Sequence, residues 1–206
     1  MASEGHAVTE RPAEVVERPV TYAYRPSALG SLREFSLSGD GIDWVAGVQS
    51  GHVPYRNIFL VRMSYRPITM QPHRFVTELW AKDAPKLQIV STSWKSVAEQ
   101  QRLDQPYSAF VRELHRHISV APTSARLERG SSPLIYWPSL FVFIVVAIGL
   151  AALIVRTLQF GAYGGAALVG TFLVLFLWQG GNFIQRNRPG VYGADTLPKD
   201  VMPWPP

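Results

Sequence analysis

The 206-residue sequence contains no cysteine, which excludes disulfides, thiolate metal sites and thiol redox chemistry. It has no glycine-rich phosphate loop, no nucleophile elbow and no HExxH helix, so the common local signatures of nucleotide binding, acyl transfer and zinc hydrolysis are missing. From Leu134 to Trp178 charge is almost missing as well: Arg156 is the one Asp, Glu, Lys, Arg or His in that stretch. The amino end lacks the apolar run of a secretion signal. Residues 1–19 hold four glutamates, two arginines and two prolines, a composition that cannot offset the entropy of ordering and is expected to be a disordered tail.

What is present in that uncharged stretch is a pair of apolar segments. Pro138 to Val155 as a helix spans roughly 27 Å at about 1.5 Å per residue, close to the bilayer hydrocarbon thickness. Its twelve Leu, Ile, Val and Phe residues favour insertion by roughly 4–7 kcal/mol. Phe160 to Trp178 carries four glycines, Gly161, Gly164, Gly165 and Gly170, inserts more weakly, and is expected to depend on its neighbour. Arg156, Thr157, Leu158 and Gln159 read as a tight reversal. The expectation is an antiparallel transmembrane hairpin over 133–183, with helices at about 136–155 and 161–179. Neither segment has the polar face that a soluble helix would show.

Charge orients the hairpin. Arg126, Arg129, Arg186, Arg188 and Lys199 flank it, against Arg156 in the turn, so the positive-inside bias places both chain ends in the cytoplasm of a bacterial inner membrane. Tyr136, Trp137 and Trp178 are expected at one interface level and Tyr163 at the other. The net charge of +5 suits an anionic membrane surface, while the even spread of basic residues forms no nucleic-acid patch. Sixteen of the twenty basic residues are arginine, a side chain suited to bidentate contacts with phosphate or carboxylate; a genome rich in G and C would give the same bias with no function behind it.

Residues 20–120 read as one small α+β domain. Short alternating runs bounded by turn residues predict antiparallel strands at 20–24, 34–37, 42–46, 58–66, 74–81 and 86–92. Asp40-Gly41 supplies a hairpin turn, and the run from Pro67 to Pro72 closes another strand. In the 58–66 strand Phe59, Val61, Met63 and Tyr65 share one face, with Arg62, Ser64 and Arg66 on the other. Tyr107, Phe110, Val111, Leu114 and Ile118 make one helical stripe, with Asp104 as expected N-cap and Pro106 in the first turn. Residues 121–132 read as a polar linker and 184–206 as an extended tail.

Phe35-Ser36-Leu37 with Gly39 to Trp44, then Val53 to Ile58 leading into the strand through Tyr65, then the helix Tyr107 to Ile118, resemble the bacterial pleckstrin-homology-like domains of small membrane proteins. The resemblance covers about residues 20–120. It implies a partly open, small antiparallel β-barrel or sheet capped by one helix, joined here to a two-helix membrane hairpin, and no catalysis. The acidic turn Gly39 to Gly41 lacks the lysine-rich loop of the phosphoinositide binders within that fold.

No cofactor or metal is expected. His115 and His117 project about 200 degrees apart on a helix, and His6, His52 and His73 are scattered, so all five read as solvated surface groups. Asp40 and Asp43 read as turn chemistry. Arg56, Arg62, Arg66 and Arg74 are a candidate anionic-lipid patch, weighed against an ordinary solvated exterior. Gly161, Gly165 and Gly170, with Ala147 and Ala151, are a candidate helix-packing seam, either between chains or within the hairpin. The expected function is a non-enzymatic, membrane-tethered scaffold or accessory subunit whose partners are the bilayer and a membrane protein or a second copy. Alternatives are a lipid-headgroup module, and a subunit of an enzyme or transporter whose catalytic residues lie on a partner.

Overall fold

The computed structural model describes residues 19–66, 74–96 and 99–203. The tail expected over 1–19 lies outside the described residues except for Pro19, as do His6, His73 and the run from Pro67 to Pro72.

The first sheet is antiparallel in chain order: β1 (Val20–Tyr24), β2 (Arg33–Leu37), β3 (Gly41–Ala46) and β4 (Gln49–Pro54). A 3-10 turn, Tyr55–Asn57, then leads into β5 (Ile58–Tyr65), which pairs with β6 (Phe75–Ala81), itself paired with β7 (Leu87–Val90). A short ribbon of β8 (Thr92–Trp94) and β9 (Gln100–Arg102) precedes helix α1 (Asp104–Val120). The architecture is α+β, but the described strands do not close into a barrel. The 3-10 turn interrupts the ladder between β4 and β5. At the other seam, β1 meets β7 through side chains: the Tyr22 hydroxyl donates to the Val90 carbonyl at 2.6 Å, and the Tyr24 hydroxyl donates to that of Gln88.

Alternation accounts for most of these strands. Tyr22, Tyr24, Phe35, Leu37, Val61, Met63 and Tyr65 all point inward and are buried. Phe59 does not follow: a register shift between Ile58 and Leu60 turns Ile58 inward and leaves Phe59 48% exposed. The full stripe of α1, from Tyr107 to Ile118, is buried, and its five side chains contribute roughly 8–15 kcal/mol of gross apolar burial. Asp104 is not the N-cap. Leu103 holds that position, and Asp104 opens the helix paired with Arg102.

Two helices of membrane-spanning length and composition follow, α2 (Pro133–Gln159) and α3 (Tyr163–Arg186), with mean hydropathies of 2.8 and 1.6. The residues expected as the turn, Arg156 to Gln159, are the last of α2. The reversal falls instead on Phe160 to Ala162, where Gly161 takes a left-handed φ of +71°. There the Gly161 amide donates to Leu158 and the Ala162 amide to Thr157, satisfying carbonyls that a helix end otherwise leaves bare. Phe143 stacks on Phe176 at 4.8 Å, and Gly180 lies against the Phe143 ring so closely that a methyl group there would collide with it.

The segments on either side of the helical pair are not loose. Between α1 and α2, Thr123 donates from its hydroxyl to the Ile58 carbonyl at 2.8 Å, and β10 (Arg126–Arg129) pairs parallel with β5. After α3, β11 (Gly190–Val191) pairs antiparallel with β10. The chain beyond it returns to the domain, where Val201 and Met202 are buried in the core. The expected linker and tail are therefore parts of the sheet domain. Their pairing comes from strands far away in sequence, which local composition does not register.

Candidate functional site

β5 gives the domain two ends. Its Tyr65 end meets the roots of the membrane-length helices; its Ile58 end lies roughly 23 Å away by strand rise.

The root end is a joint. Asn187, just past α3 and 1% exposed, donates its side-chain amide to the Tyr65 carbonyl at 2.7 Å and to the Phe183 carbonyl at 3.1 Å. Its Oδ1 accepts the Tyr65 amide at 3.1 Å. Gly130 bends the chain from β10 towards α2 with φ of +78°, packed so tightly on the Asn187 and Arg188 carbonyls that no side chain fits there. Arg186 lies over the Tyr65 ring, 4.8 Å from its centroid. Beside it the Arg66 amide donates to the Arg74 carbonyl at 2.8 Å, which joins these two arginines at the same end.

The far end carries a groove of about 560 Å³, lined by Asp40, His52, Tyr55, Arg56, His117 and Pro122 among others. A smaller hollow of about 300 Å³ adjoins it, sharing Gly39 and His117 and reaching Glu113. Tyr55 forms the floor: its hydroxyl donates to the Ser38 carbonyl at 3.1 Å, and its ring stacks on His117 with centroids 5.3 Å apart. Burial raises the Tyr55 phenol above its ordinary range, with the Asp40 carboxylate adding to that. His52 lies 2.7 Å from Asp43 and 3.5 Å from Asp40, and His117 lies 3.3 Å from Glu113. Glu113 is held below the usual carboxylate range, mainly by the Arg116 hydrogen bond. The groove thus presents carboxylate-bound imidazoles, a buried phenol and the exposed Arg56, a surface suited to gripping a polar group. Among the described residues no set of three His, Asp or Glu side chains gathers as a metal ion would require.

The four arginines singled out on sequence do not form one patch. Arg56 lines the far groove. Arg62 is bound by Glu128 of β10 at 2.6 Å, both half-buried. Arg66 pairs at 2.7 Å with Glu78, whose carboxylate is 1% exposed and also holds Lys86 at 2.6 Å. Arg74 lies beside Arg66 at the joint, and burial, reinforced by Arg66, lowers its pKa. The neutralising carboxylates come from β6 and β10, so a single strand could not reveal them.

The candidate packing residues also separate. Gly161 lies in the turn, and a side chain at Gly161 or Gly170 would meet nothing within 4 Å. Gly165 only approaches Thr157, at 3.9 Å. Ala151 is exposed and Ala147 half-buried. Close packing occurs instead at Gly180, against the Phe143 ring. Of the aromatic anchors, Tyr136 is buried against Trp137, whereas Trp137, Tyr163 and Trp178 are exposed. With Phe143 opposite Phe176 and Gly180, Trp178 sits about two helical turns, on the order of 10 Å, from the level of Trp137.

His115 was expected in solvent and is 1% exposed. It sits between the Val111 carbonyl at 2.7 Å and the Tyr192 hydroxyl at 2.8 Å, so it ties α1 to the segment after β11. Burial lowers its pKa. No protein-family model matches the chain, and neither the curated proteins nor the solved structures give a significant match.

Proposed function

We propose that the chain is a two-pass protein of a bacterial inner membrane with both termini cytoplasmic, and that its sheet domain is a pleckstrin-homology-like interaction module. In this reading it serves a membrane assembly as a scaffold or accessory subunit and performs no chemistry of its own. Four antiparallel strands, then three more, then a short two-stranded ribbon and one amphipathic helix with its apolar stripe buried support the fold assignment. The excess of arginine and lysine beside Pro133 and Arg186, against Arg156 at the turn, supports the orientation.

The observation that carries the reading is the far-end groove on a domain fixed at its other end. A loose tether would let the domain sample any attitude; two strands and Asn187 hold it in one, with Arg56, His52 and His117 always presented the same way. The test is purification of the full chain in a mild detergent. A stoichiometric protein should accompany the wild type and the Arg62→Gln variant, and be lost on Arg56→Glu combined with His117→Glu. Purification with lipid alone, or turnover by the purified chain, overturns the proposal.

A second reading, a lipid-headgroup module, is favoured by a separate observation: the arginines gathered at the joint.

A further inference from the structure

The joint collects more positive charge than the fold neutralises. Arg66 shares the single buried carboxylate of Glu78 with Lys86. Arg74 and Arg188 form none of the ion pairs seen among the described residues, and Arg186 is held by the Tyr65 ring. Buried arginine without a carboxylate is unfavourable unless something else supplies the negative charge. Arg74 is partly buried, its carbonyl accepts the Arg66 amide at 2.8 Å, and burial lowers its pKa. The backbones of Arg66, Arg74, Arg186 and Arg188 lie at the Tyr65 end of β5, where the two helices of membrane-spanning length meet the domain.

We infer that Arg74, Arg186 and Arg188, with Arg66 behind them, form a site for the phosphate of an anionic phospholipid from the chain's own bilayer. The inference rests on the membrane reading above. It replaces the four-arginine patch: Arg62 is already satisfied by Glu128, and Arg56 is a strand length away. The occupant is a lipid rather than a free anion because α2 and α3 bring headgroups to this spot at high effective concentration. Each basic residue near an anionic leaflet adds a several-fold preference. A headgroup seated here would complete the neutralisation that Glu78 leaves half done, and would strengthen the joint from the membrane side.

The test uses the full chain reconstituted into vesicles of phosphatidylcholine containing one part in ten of phosphatidylglycerol, re-extracted in mild detergent, with retained lipid identified by mass. Enrichment of phosphatidylglycerol by about fivefold or more is expected for the wild type, falling to about twofold or less for Arg74→Gln with Arg188→Gln. Arg74→Lys with Arg188→Lys should restore most of the enrichment, since charge rather than shape draws the headgroup; this rescue separates loss of the site from loss of the fold. Arg112→Gln, exposed on α1 and in neither site, should leave the enrichment unchanged. Equal retention of the two lipids by the wild type, or an unchanged preference in the glutamine variant, overturns the site alone. A chain that fails to float with the vesicles overturns the membrane reading beneath it.

Discussion

Phe110 and Phe141 are the same residue in the middle of regular helices, yet one is 1% exposed and the other 69%. α1 offers an apolar stripe and a polar back, so it lies on a sheet and hides the stripe. α2 is apolar all round; its partner α3 covers one side, and Phe141, Val142, Ile144, Val145 and Ile148 stay bare. In water such a surface would drive aggregation, and in hydrocarbon it is the lowest-energy surface available. The two regions therefore obey opposite rules: the sheet domain is stable because its aromatics are hidden, the helical pair because its aliphatics are shown.

The contrast is tested hardest by truncating those two phenylalanines. Phe110→Ala should lower the stability of the sheet domain by about 3–5 kcal/mol, because it empties the space between Tyr22 and Phe35. Phe141→Ala should leave it within about 0.5 kcal/mol of wild type. Urea titration of the full chain in detergent measures both, and equal losses would end the distinction. A smaller effect probes where the helical pair resembles a packed core. Gly180→Val should weaken the α2–α3 contact by about 1–3 kcal/mol through collision with Phe143, whereas Gly170→Val should have almost no effect. Crosslinking yield between cysteines introduced on facing turns of the two helices reports the difference.

The smallest expected effect is pH-dependent and belongs to the domain alone. Burial lowers the His115 pKa in the folded chain, so below the unfolded value of about 6.5 the unfolded state binds more protons. Stability should be flat above that pH and fall as pH drops towards 5, by up to about 1.4 kcal/mol per unit, until the folded imidazole also titrates. Glu113 acts at lower pH, since its carboxyl is depressed and its contribution is lost only below the ordinary carboxylate range. His115→Gln should flatten the slope between pH 5 and 6.5; a slope unchanged by that substitution would assign it elsewhere.

Periodicity found what is local. The α1 stripe, the strands at 20–24 and 34–37 and both long helices follow from spacing and length. β4 was missed because Gln49, Ser50, Gly51 and His52 are exposed on an outer strand and leave no alternation to read. β10 and β11 were missed because four and two residues acquire strand geometry only by lying beside β5 and each other. The far groove had partial signals: Arg56, Asp40 and His52 stood out individually, but only the fold brings His117 and Tyr55 beside them. Asn187 gave no signal, because an asparagine after a helix is ordinary until its partner, Tyr65, is known.

Val201 and Met202 sit in the core of a domain whose other buried residues begin at Tyr22. Between the two ends of that core, in chain order, come α2 and α3. During synthesis the hydrophobic centre must therefore wait, unfinished, until both long helices have been made and the chain has come back. A fragment cut before Pro133 would carry an open socket where those two residues belong.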